Sequence, residues 1–247
     1  MATASPASVP FDAVPALEGC LRRFQLRFVE GHREPGLGAA AVPPSPRHRD
    51  GRLHALRQLL AALPVEAWRD GAPDEALGTA AGRLGLTLAE AEALRLGAPV
   101  RRLGRALRNF TDGFSWAAAI PFEVKLGIAA VHGRFDLSLT GAPGEAVVSL
   151  VPGGRAESPA SLGVLLQALR ARAGEGRQVR AALFAVDGDQ ERLHWASHPP
   201  AAPEEVEARV RAAFAAGTTL AERLERRGCE ALGCGFVRRC HPSDRGL

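Results

Sequence analysis

The chain has four cysteines, and their placement constrains its fold more than any other feature of the sequence. Cys20 lies near the N-terminus, and Cys229, Cys234 and Cys240 lie near the C-terminus of a 247-residue chain that has no other cysteine. A metal site needs three or four thiolates that converge on one point. The cysteines can form such a site only if the chain returns to its start, so we expect its two ends to be clasped together.

The length and composition are those of a globular protein with a substantial core. Hydrophobic residues make up 46% of the chain and charged residues 23%, which are ordinary fractions. No apolar run approaches the roughly 18 to 20 residues of a membrane helix. The opening segment, MATASPASVP, has neither the basic nor the apolar region of a secretory signal. We therefore expect a cytoplasmic protein without membrane contact, where reduced thiols favour a metal site over disulfides.

The charge of the chain permits contact with nucleic acid without requiring it. The formal net charge is +4, and Lys125 is the only lysine among 31 basic residues. Together with abundant Ala, Gly and Pro and the absence of tyrosine, this bias towards arginine is typical of a GC-rich genome. Arginine content alone therefore argues little for DNA binding.

Helical periodicity dominates the first 110 residues. Thr87 and Glu90 have the spacing of a capping box, and a loop rich in Pro and Gly separates the first two helical segments. The apolar spacing predicts helices over 11–30 and 51–63 and a helical insertion over about 64–112.

The pattern changes to short segments rich in β-forming residues after the insertion. Ser158 and Pro159 have the residue types of an N-cap and first helical position, and Gly174 is a plausible stop. We predict strands over 119–126, 129–139, 145–151, 179–186 and 192–196, and helices over 159–173 and from 203 to about 217. This order predicts an α/β fold with a mixed sheet flanked by helices, in a single domain over 1–247, with the sheet core at about 118–196 and a C-terminal helix and cysteine cluster at about 203–241.

Four segments of the chain, taken in order, are CLRRFQLRFVEG, DGRLHALRQLL, PFEVKLGIAAVHGRFDLSL and CEALGCGFVRRC. This ordered set resembles the PD-(D/E)XK nuclease superfamily, in the branch that contains AddB and RecB-type nuclease domains. The last segment departs from the family pattern because its spacing is Cys-x4-Cys-x5-Cys, whereas the usual first gap is two residues. The resemblance implies a restriction-endonuclease-like mixed sheet flanked by helices.

The resemblance also implies a cofactor on the cysteines. Cys20, Cys229, Cys234 and Cys240 would hold a [4Fe-4S] cluster that joins the N-terminal helix to the C-terminal segment in a structural role. Four thiolates also satisfy zinc tetrahedrally, and buried thiols without a ligand are the remaining interpretation.

The chemistry of the family depends on residues that this chain only partly keeps. Its members cut DNA with Mg²⁺ or Mn²⁺ held by a first Asp, an acid of the following strand and a helix His, with a Lys two residues after the second acid. Asp136 and His54 match the first Asp and the His, whereas Ser149 and Val151 stand in place of the second acid and the Lys. One carboxylate and one imidazole make a poor site for a hard cation, so we expect a nuclease fold that has lost catalysis.

The expected function is therefore DNA binding or scaffolding in DNA repair, recombination or defence. A helicase is a candidate protein partner, and the chain has no Gly-x4-Gly-Lys-Ser/Thr phosphate loop of its own. An alternative register reads Asp112, Glu123 and Lys125 as a complete Asp…Glu-x-Lys motif. It would give an active nuclease that requires Mg²⁺ or Mn²⁺.

Two groups of arginines are candidates for phosphate contacts. Each group either lies on a helix face that is exposed to solvent or forms a ridge that contacts phosphates. The resemblance favours the N-terminal group slightly, because the equivalent helix of the family lies near the nucleic-acid channel. The groups are Arg22, Arg23 and Arg27 in the first helix, and Arg101, Arg105 and Arg108 in the insertion.

Overall fold

The computed structural model describes residues 7–35, 49–64, 66–67, 74–108, 113–127, 129–142, 144–151, 158–187, 193–198, 203–215, 225–231 and 233–242. These form an α/β fold around a mixed six-stranded sheet with the order β1-β3-β4-β5-β6, and β2 pairs with β3. The strands are β1 Ala7–Pro10, β2 Phe114–Leu126, β3 Ala129–Gly141, β4 Gly144–Val151, β5 Gln178–Ala185 and β6 Leu193–Ala196.

Helices cover the sheet and connect its strands. The N-terminal ones are α1 Val14–Gly19 and α2 Leu21–Phe24, with a π-helical turn at Gln25–Val29, and then α3 Arg49–Ala62. The insertion contains α4 Asp74–Arg83, α5 Leu88–Ala93 and α6 Gly97–Leu107. The later helices are α7 Pro159–Ala173, α8 Pro203–Ala215, α9 Arg226–Ala231 and α10 Val237–Cys240. No helix in these parts of the chain is long and apolar enough to cross a membrane.

Two apolar cores lie on the two faces of the sheet. The first core joins α1, α7 and α8 to the sheet through residues such as Leu17, Leu165 and Val210. The second core joins α3 and the insertion helices to the other face, with Leu56 and Leu103 among its members. Strand β4 is buried on both faces, which explains its nearly continuous apolar sequence.

One edge of β3 is shared by two strands that run in opposite directions. Strand β1 pairs with β3 in parallel as far as Pro10 opposite His132, whereas β4 pairs antiparallel from Leu137 opposite Val148. Strand β2 occupies the other edge along the whole length of β3. The C-terminal ends of β1 and β4 therefore converge beside residues 133–136, where neither continues the ladder.

The structure confirms the predicted α/β class and several local signals. The hydroxyl of Ser158 accepts a hydrogen bond from the amide of Ser161 at 3.2 Å, as expected for an N-cap, and Gly174 ends α7 with a φ of +80°. Thr87 and Glu90 form both hydrogen bonds of a capping box. These signals depend only on neighbouring residues, which explains why the sequence reveals them.

Two predictions need correction. The single helix expected over 11–30 is interrupted, because Cys20 has an extended backbone with φ −160° and ψ 106° between α1 and α2. The predicted strands did not include residues 7–10, yet these residues form β1 and pair with β3. A four-residue strand with a proline has little signal of its own, and its partner lies more than 100 residues away.

Candidate functional site

Asp136 lies in the part of β3 between the end of β1 and the end of β4, and it is only 7% exposed. The register of β3 and β4 brings Ser149 beside it, so the hydroxyl of Ser149 donates to Asp136 Oδ2 at 3.2 Å. The backbone amide of Leu150 donates to the same oxygen at 2.7 Å. A buried serine thus faces the first acid at the position that the resemblance assigned to a second acid.

Arg57 of α3 forms the remaining contacts of this carboxylate. Its Nε lies 3.0 Å from Asp136 Oδ1, and its Nη2 donates to the carbonyl oxygen of Leu150 at 3.0 Å. Its Nη1 donates to both carboxylate oxygens of Asp12 at 2.8 and 2.7 Å. One guanidinium therefore joins the turn after β1, the middle of β3 and the end of β4.

Burial and charge act in opposite directions on this pair. Burial raises the pKa of Asp136 above its ordinary value, while the charge of Arg57 and the amide of Leu150 oppose that rise. Burial alone would lower the pKa of Arg57, but the carboxylates of Asp136 and Asp12 raise it overall. Arg57 therefore stays charged, and its charge is what permits a carboxylate at this depth.

A cleft of about 640 Å³ opens beside the pair. His54, which precedes Arg57 by three residues on α3, lines this cleft and is exposed. His132 and Arg134 line it from β3 and are also exposed, and Phe122 contributes an apolar wall. The two residues predicted as a remnant catalytic site, His54 and Asp136, therefore lie in one cleft.

The residues of this cleft do not fit the Mg²⁺ or Mn²⁺ ion that the resemblance implies for an active nuclease. Such an ion needs several oxygen ligands, usually carboxylates. The Asp136 carboxylate already accepts from Arg57, Ser149 and the Leu150 amide, and the Leu150 carbonyl accepts from Arg57. The second position offers the neutral hydroxyl of Ser149, and no step through a bound metal follows from this geometry.

The residues of the alternative register lie elsewhere. Glu123 and Lys125 are exposed on β2, opposite His132 and Ala130 of β3, and neither lines the cleft around Asp136. Asp112 lies outside the described residues. Val151 is 3% exposed and belongs to the first core, so the position matched to the family lysine is apolar.

The three C-terminal cysteines pack together on the N-terminal part of the chain. Cys229, Cys234 and Cys240 are buried and form one apolar cluster with Leu26 and Phe236. Cys20 is also buried, at the junction of α1 and α2, and Leu26 follows it by six residues. The C-terminal cysteines therefore pack on the segment that follows Cys20, and Cys20 itself is not part of their cluster. These two segments form one structural unit.

Polar contacts hold this unit, which we call the terminal clasp and which comprises residues 20–35 and 225–242. Glu34 accepts from Arg23 at 2.8 Å, from Arg27 at 3.0 Å and from the amide of Gly235 at 3.0 Å. The side chain of Arg239 contacts His32 at 2.9 Å. A buried carboxylate with three donors thus connects the two ends of the chain.

The donor chemistry of the clasp suits a metal that prefers sulfur, although the thiols do not form a preformed site. None of the four cysteines is in a disulfide, and Cys229 Sγ lies 3.7 Å from His241 Nε2. Within the described residues, no group of three or more His, Cys, Asp or Glu side chains is arranged to hold a metal ion. Burial raises the pKa of Cys234 to about 11, so a metal would have to displace its proton.

The candidate arginines differ in their exposure. Arg23 is buried against Glu34, and Arg27 is paired with the same carboxylate and stacks on Phe28. Arg22 pairs with Glu30 at 2.6 Å. These three side chains form ion pairs within the clasp, and Arg23 is only 6% exposed, which leaves little of it to contact a phosphate.

The arginines of the insertion face outwards. Arg101 is half-buried and pairs with Asp74 at 3.1 Å and with Glu92 at 2.8 Å. Arg105 and Arg108 are exposed. Two of the three arginines are therefore accessible on this side of the insertion, whereas the charge of Arg101 is balanced by two carboxylates.

Sequence reasoning missed Arg57 and Asp12. The motif DGRLHALRQLL contains His54 and Arg57 at a spacing of three, which places both on one side of a helix. That spacing was the available signal for Arg57. Asp12 has no comparable signal, because its place depends on the pairing of β1 with β3.

No family model and no curated protein matches the chain. Among solved structures, the protein in "Crystal structure of SSO0001" is similar, with a TM-score of 0.41 and 11% sequence identity. The similarity covers 97% of this chain and 88% of that chain. A similarity of this strength does not establish a shared function.

Proposed function

We propose that this chain is a catalytically degenerate PD-(D/E)XK-like protein that binds DNA or acts as a scaffold in DNA repair, recombination or defence. The observation that carries the proposal is the position of Asp136, which is bound by Ser149 and Arg57 in a cleft that His54 also lines. The first acid and the helix histidine of the family motif share a cleft, while the second acid and the lysine are replaced. That combination favours a retained fold over retained cleavage.

The positions of exposed arginines support DNA as the ligand. The formal net charge is +4, and exposed arginines lie both at the cleft, at Arg134, and on the insertion, at Arg105 and Arg108. Side chains of this kind contact phosphates without reading the base sequence. We therefore expect binding that weakens as the salt concentration rises.

The test combines binding and cleavage on the same samples. The full chain is incubated with single-stranded and double-stranded DNA in EDTA, Mg²⁺ or Mn²⁺, and both complex formation and product length are measured. The proposal expects binding in EDTA and no cleavage with either metal. Loss of binding in both Arg134→Ala and the double variant Arg105→Ala/Arg108→Ala would assign the contact surface. Arg180→Ala is the control, because Arg180 is an exposed residue of β5.

The alternative function, an active nuclease, makes the opposite prediction in the same assay. Cleavage that requires Mn²⁺ and disappears in Lys125→Ala or Glu123→Ala would establish the alternative register and contradict our proposal. Cleavage that disappears only in Asp136→Asn or His54→Ala would instead show that the cleft is still catalytic.

We further propose that the four cysteines hold a [4Fe-4S] cluster with a structural role, and zinc is the alternative metal. The support is the burial of all four thiols and the packing of the C-terminal three against Leu26, which follows Cys20 by six residues. Closing a loop of about 200 residues stabilises a fold by roughly 5 kcal/mol in the chain-entropy account. The stabilisation by a cluster in the clasp would therefore be comparable with the net stability of a whole domain.

Anaerobic purification followed by measurement of iron, sulfide and zinc tests the cofactor. We expect iron and sulfide with charge-transfer absorbance, and loss of both in Cys20→Ser as well as in Cys234→Ser. Zinc without sulfide would select the alternative metal. A folded, metal-free protein would contradict the cofactor proposal. The same result in Cys20→Ser as in the parent would show that Cys20 is not a ligand.

A protein partner of the helicase class is part of the proposal. The support is the family resemblance, because the chain itself has no phosphate loop for a motor. Co-purification of the chain with a helicase would support this part, and a protein that acts alone on DNA would contradict it.

A further inference from the structure

We propose that Arg57 is a tethered counter-ion that occupies the cation position of the Asp136 site, so that the cleft takes no divalent metal. The inference rests on the proposed function only in its choice of Mg²⁺ and Mn²⁺ as the ions that the cleft excludes. Its physical basis is the set of contacts that Arg57 makes within the protein. These contacts do not depend on whether the chain binds DNA.

The three groups around Arg57 are oxygen ligands of the kind that hard cations use. They are the Asp12 carboxylate, the Asp136 carboxylate and the Leu150 carbonyl, and carboxylates with backbone carbonyls are common ligands of Mg²⁺ and Mn²⁺. The guanidinium contacts all three at 2.7 to 3.0 Å. It distributes its donors among three chain segments, as a metal ion would distribute its coordination bonds.

Arg57 cannot yield this place by losing a proton. A guanidinium stays protonated in proteins, and here the two carboxylates raise the pKa of Arg57 further. A lysine at the same position could deprotonate and admit a metal, which makes arginine the more effective block. A divalent ion beside Asp136 would therefore meet a fixed positive charge.

Arg57 also cannot swing away without loss. Its departure would leave the 7% exposed Asp136 without its counter-charge, and it would leave the carbonyl of Leu150 without the donor Nη2. The other charged side chain that lines the cleft from β3 is Arg134, which adds positive charge. The surroundings therefore hold Arg57 in place and do not attract a second cation.

Mn²⁺ binding measured by electron paramagnetic resonance tests the inference directly. Four forms of the full chain are compared: the parent, Ser149→Asp, Arg57→Ala/Ser149→Asp and Arg57→Gln/Ser149→Asp. The glutamine form keeps a polar side chain in case the alanine form does not fold. Arg102→Ala/Ser149→Asp is the matched control, because Arg102 donates to a backbone carbonyl, that of Val186, at 2.8 Å and contacts neither carboxylate of the site.

We expect no Mn²⁺ at this site in the parent and none in Ser149→Asp, where Arg57 would pair with the new carboxylate. Removal of Arg57 in the Ser149→Asp background should tighten Mn²⁺ binding by at least about tenfold, the lower end of the effect of groups that support a metal site. The Arg102 control should behave like Ser149→Asp alone.

Two results would overturn the inference. One is Mn²⁺ binding by the parent that Asp136→Asn abolishes, because it would show that a metal enters despite Arg57. The other is the absence of any gain in both double variants that lack Arg57 and are folded by circular dichroism. Neither result depends on DNA, so a failure here is distinguishable from a failure of the proposed function.

Discussion

The backbone amide of Gly235 donates a hydrogen bond to the carboxylate of Glu34, and the two residues are 201 positions apart in the chain. The same carboxylate neutralises Arg23 and Arg27. The contact therefore attaches the C-terminal segment, which carries three cysteines, to the segment that follows the fourth. It exists independently of any metal.

Gly235→Ala should loosen the clasp. A methyl group at this position would overlap the carbonyl oxygen of Pro35 and approach Glu34 Cγ to 2.9 Å. Overpacking of this kind typically costs about 1–3 kcal/mol. The free energy of unfolding and the rate of proteolysis after residue 225 measure the effect. Gly82→Ala in α4 is the control, because a methyl group there meets nothing within 4 Å and alanine favours a helix.

Glu34→Ala should destabilise the protein far more than Glu30→Ala. The Glu34 side chain has no exposed surface, and its removal would leave the buried Arg23 without a counter-charge, a loss of about 3–5 kcal/mol. Glu30 is 31% exposed and pairs with Arg22, and such pairs contribute about 0–1 kcal/mol. Chemical denaturation of both variants provides the comparison. Equal effects would mean that the ion pairs of Glu34 do not support the clasp.

Arg57→Ala and Asp136→Asn should be strongly coupled. Removal of Arg57 alone leaves a buried carboxylate unpaired, which costs about 3–5 kcal/mol. The double variant Arg57→Ala/Asp136→Asn should recover a substantial part of that loss, because no charge then remains buried in β3. A double-mutant cycle from denaturation curves gives the coupling free energy, expected to exceed about 1 kcal/mol for groups in contact. Additive effects would show that Arg57 does not stabilise the Asp136 carboxylate.

Thr87→Ala should remove the capping box of α5. The Thr87 hydroxyl accepts from the amide of Glu90 at 3.1 Å, and loss of an N-cap side chain costs about 1 kcal/mol. The reciprocal hydrogen bonds from Thr87 lower the pKa of Glu90.

This lowered pKa predicts a pH dependence for the cap. The stabilisation by the Glu90 carboxylate is present above its unfolded pKa and is lost as the pH falls through its lower folded value. The stability difference between the parent and Thr87→Ala should therefore shrink in acid. A difference that is the same at pH 7 and pH 3 would contradict this account of the cap.

Local signals in the sequence were sufficient for the helices and most of the sheet. The Ser158 N-cap, the Gly174 stop and the Thr87–Glu90 pair each depend on residues within one or two turns, so their spacing carries the information. The exception among helices is the break at Cys20, where apolar periodicity continues on both sides although the backbone is extended. Strand β1 was missed because its stability comes from β3 and not from its own four residues.

The candidate site was only partly predictable. The family resemblance singled out Asp136, His54 and Ser149, and the structure brings all three to one region. The resemblance did not predict the role of Arg57. An arginine in an amphipathic helix is expected to face solvent unless the groups that accept its hydrogen bonds are known. Those acceptors come from three strands or turns that are distant in sequence.

The sequence by itself determined the α/β class, most of the order of the elements and the residue types available at each end of the chain, since periodicity, caps and residue types are local properties. The tertiary structure decided which charges meet. Only the pairing of β1 and β4 along one edge of β3 places Asp12, Asp136 and the Leu150 carbonyl around Arg57. Burial then makes that arrangement decisive, because a carboxylate removed from water must find its counter-charge within the protein.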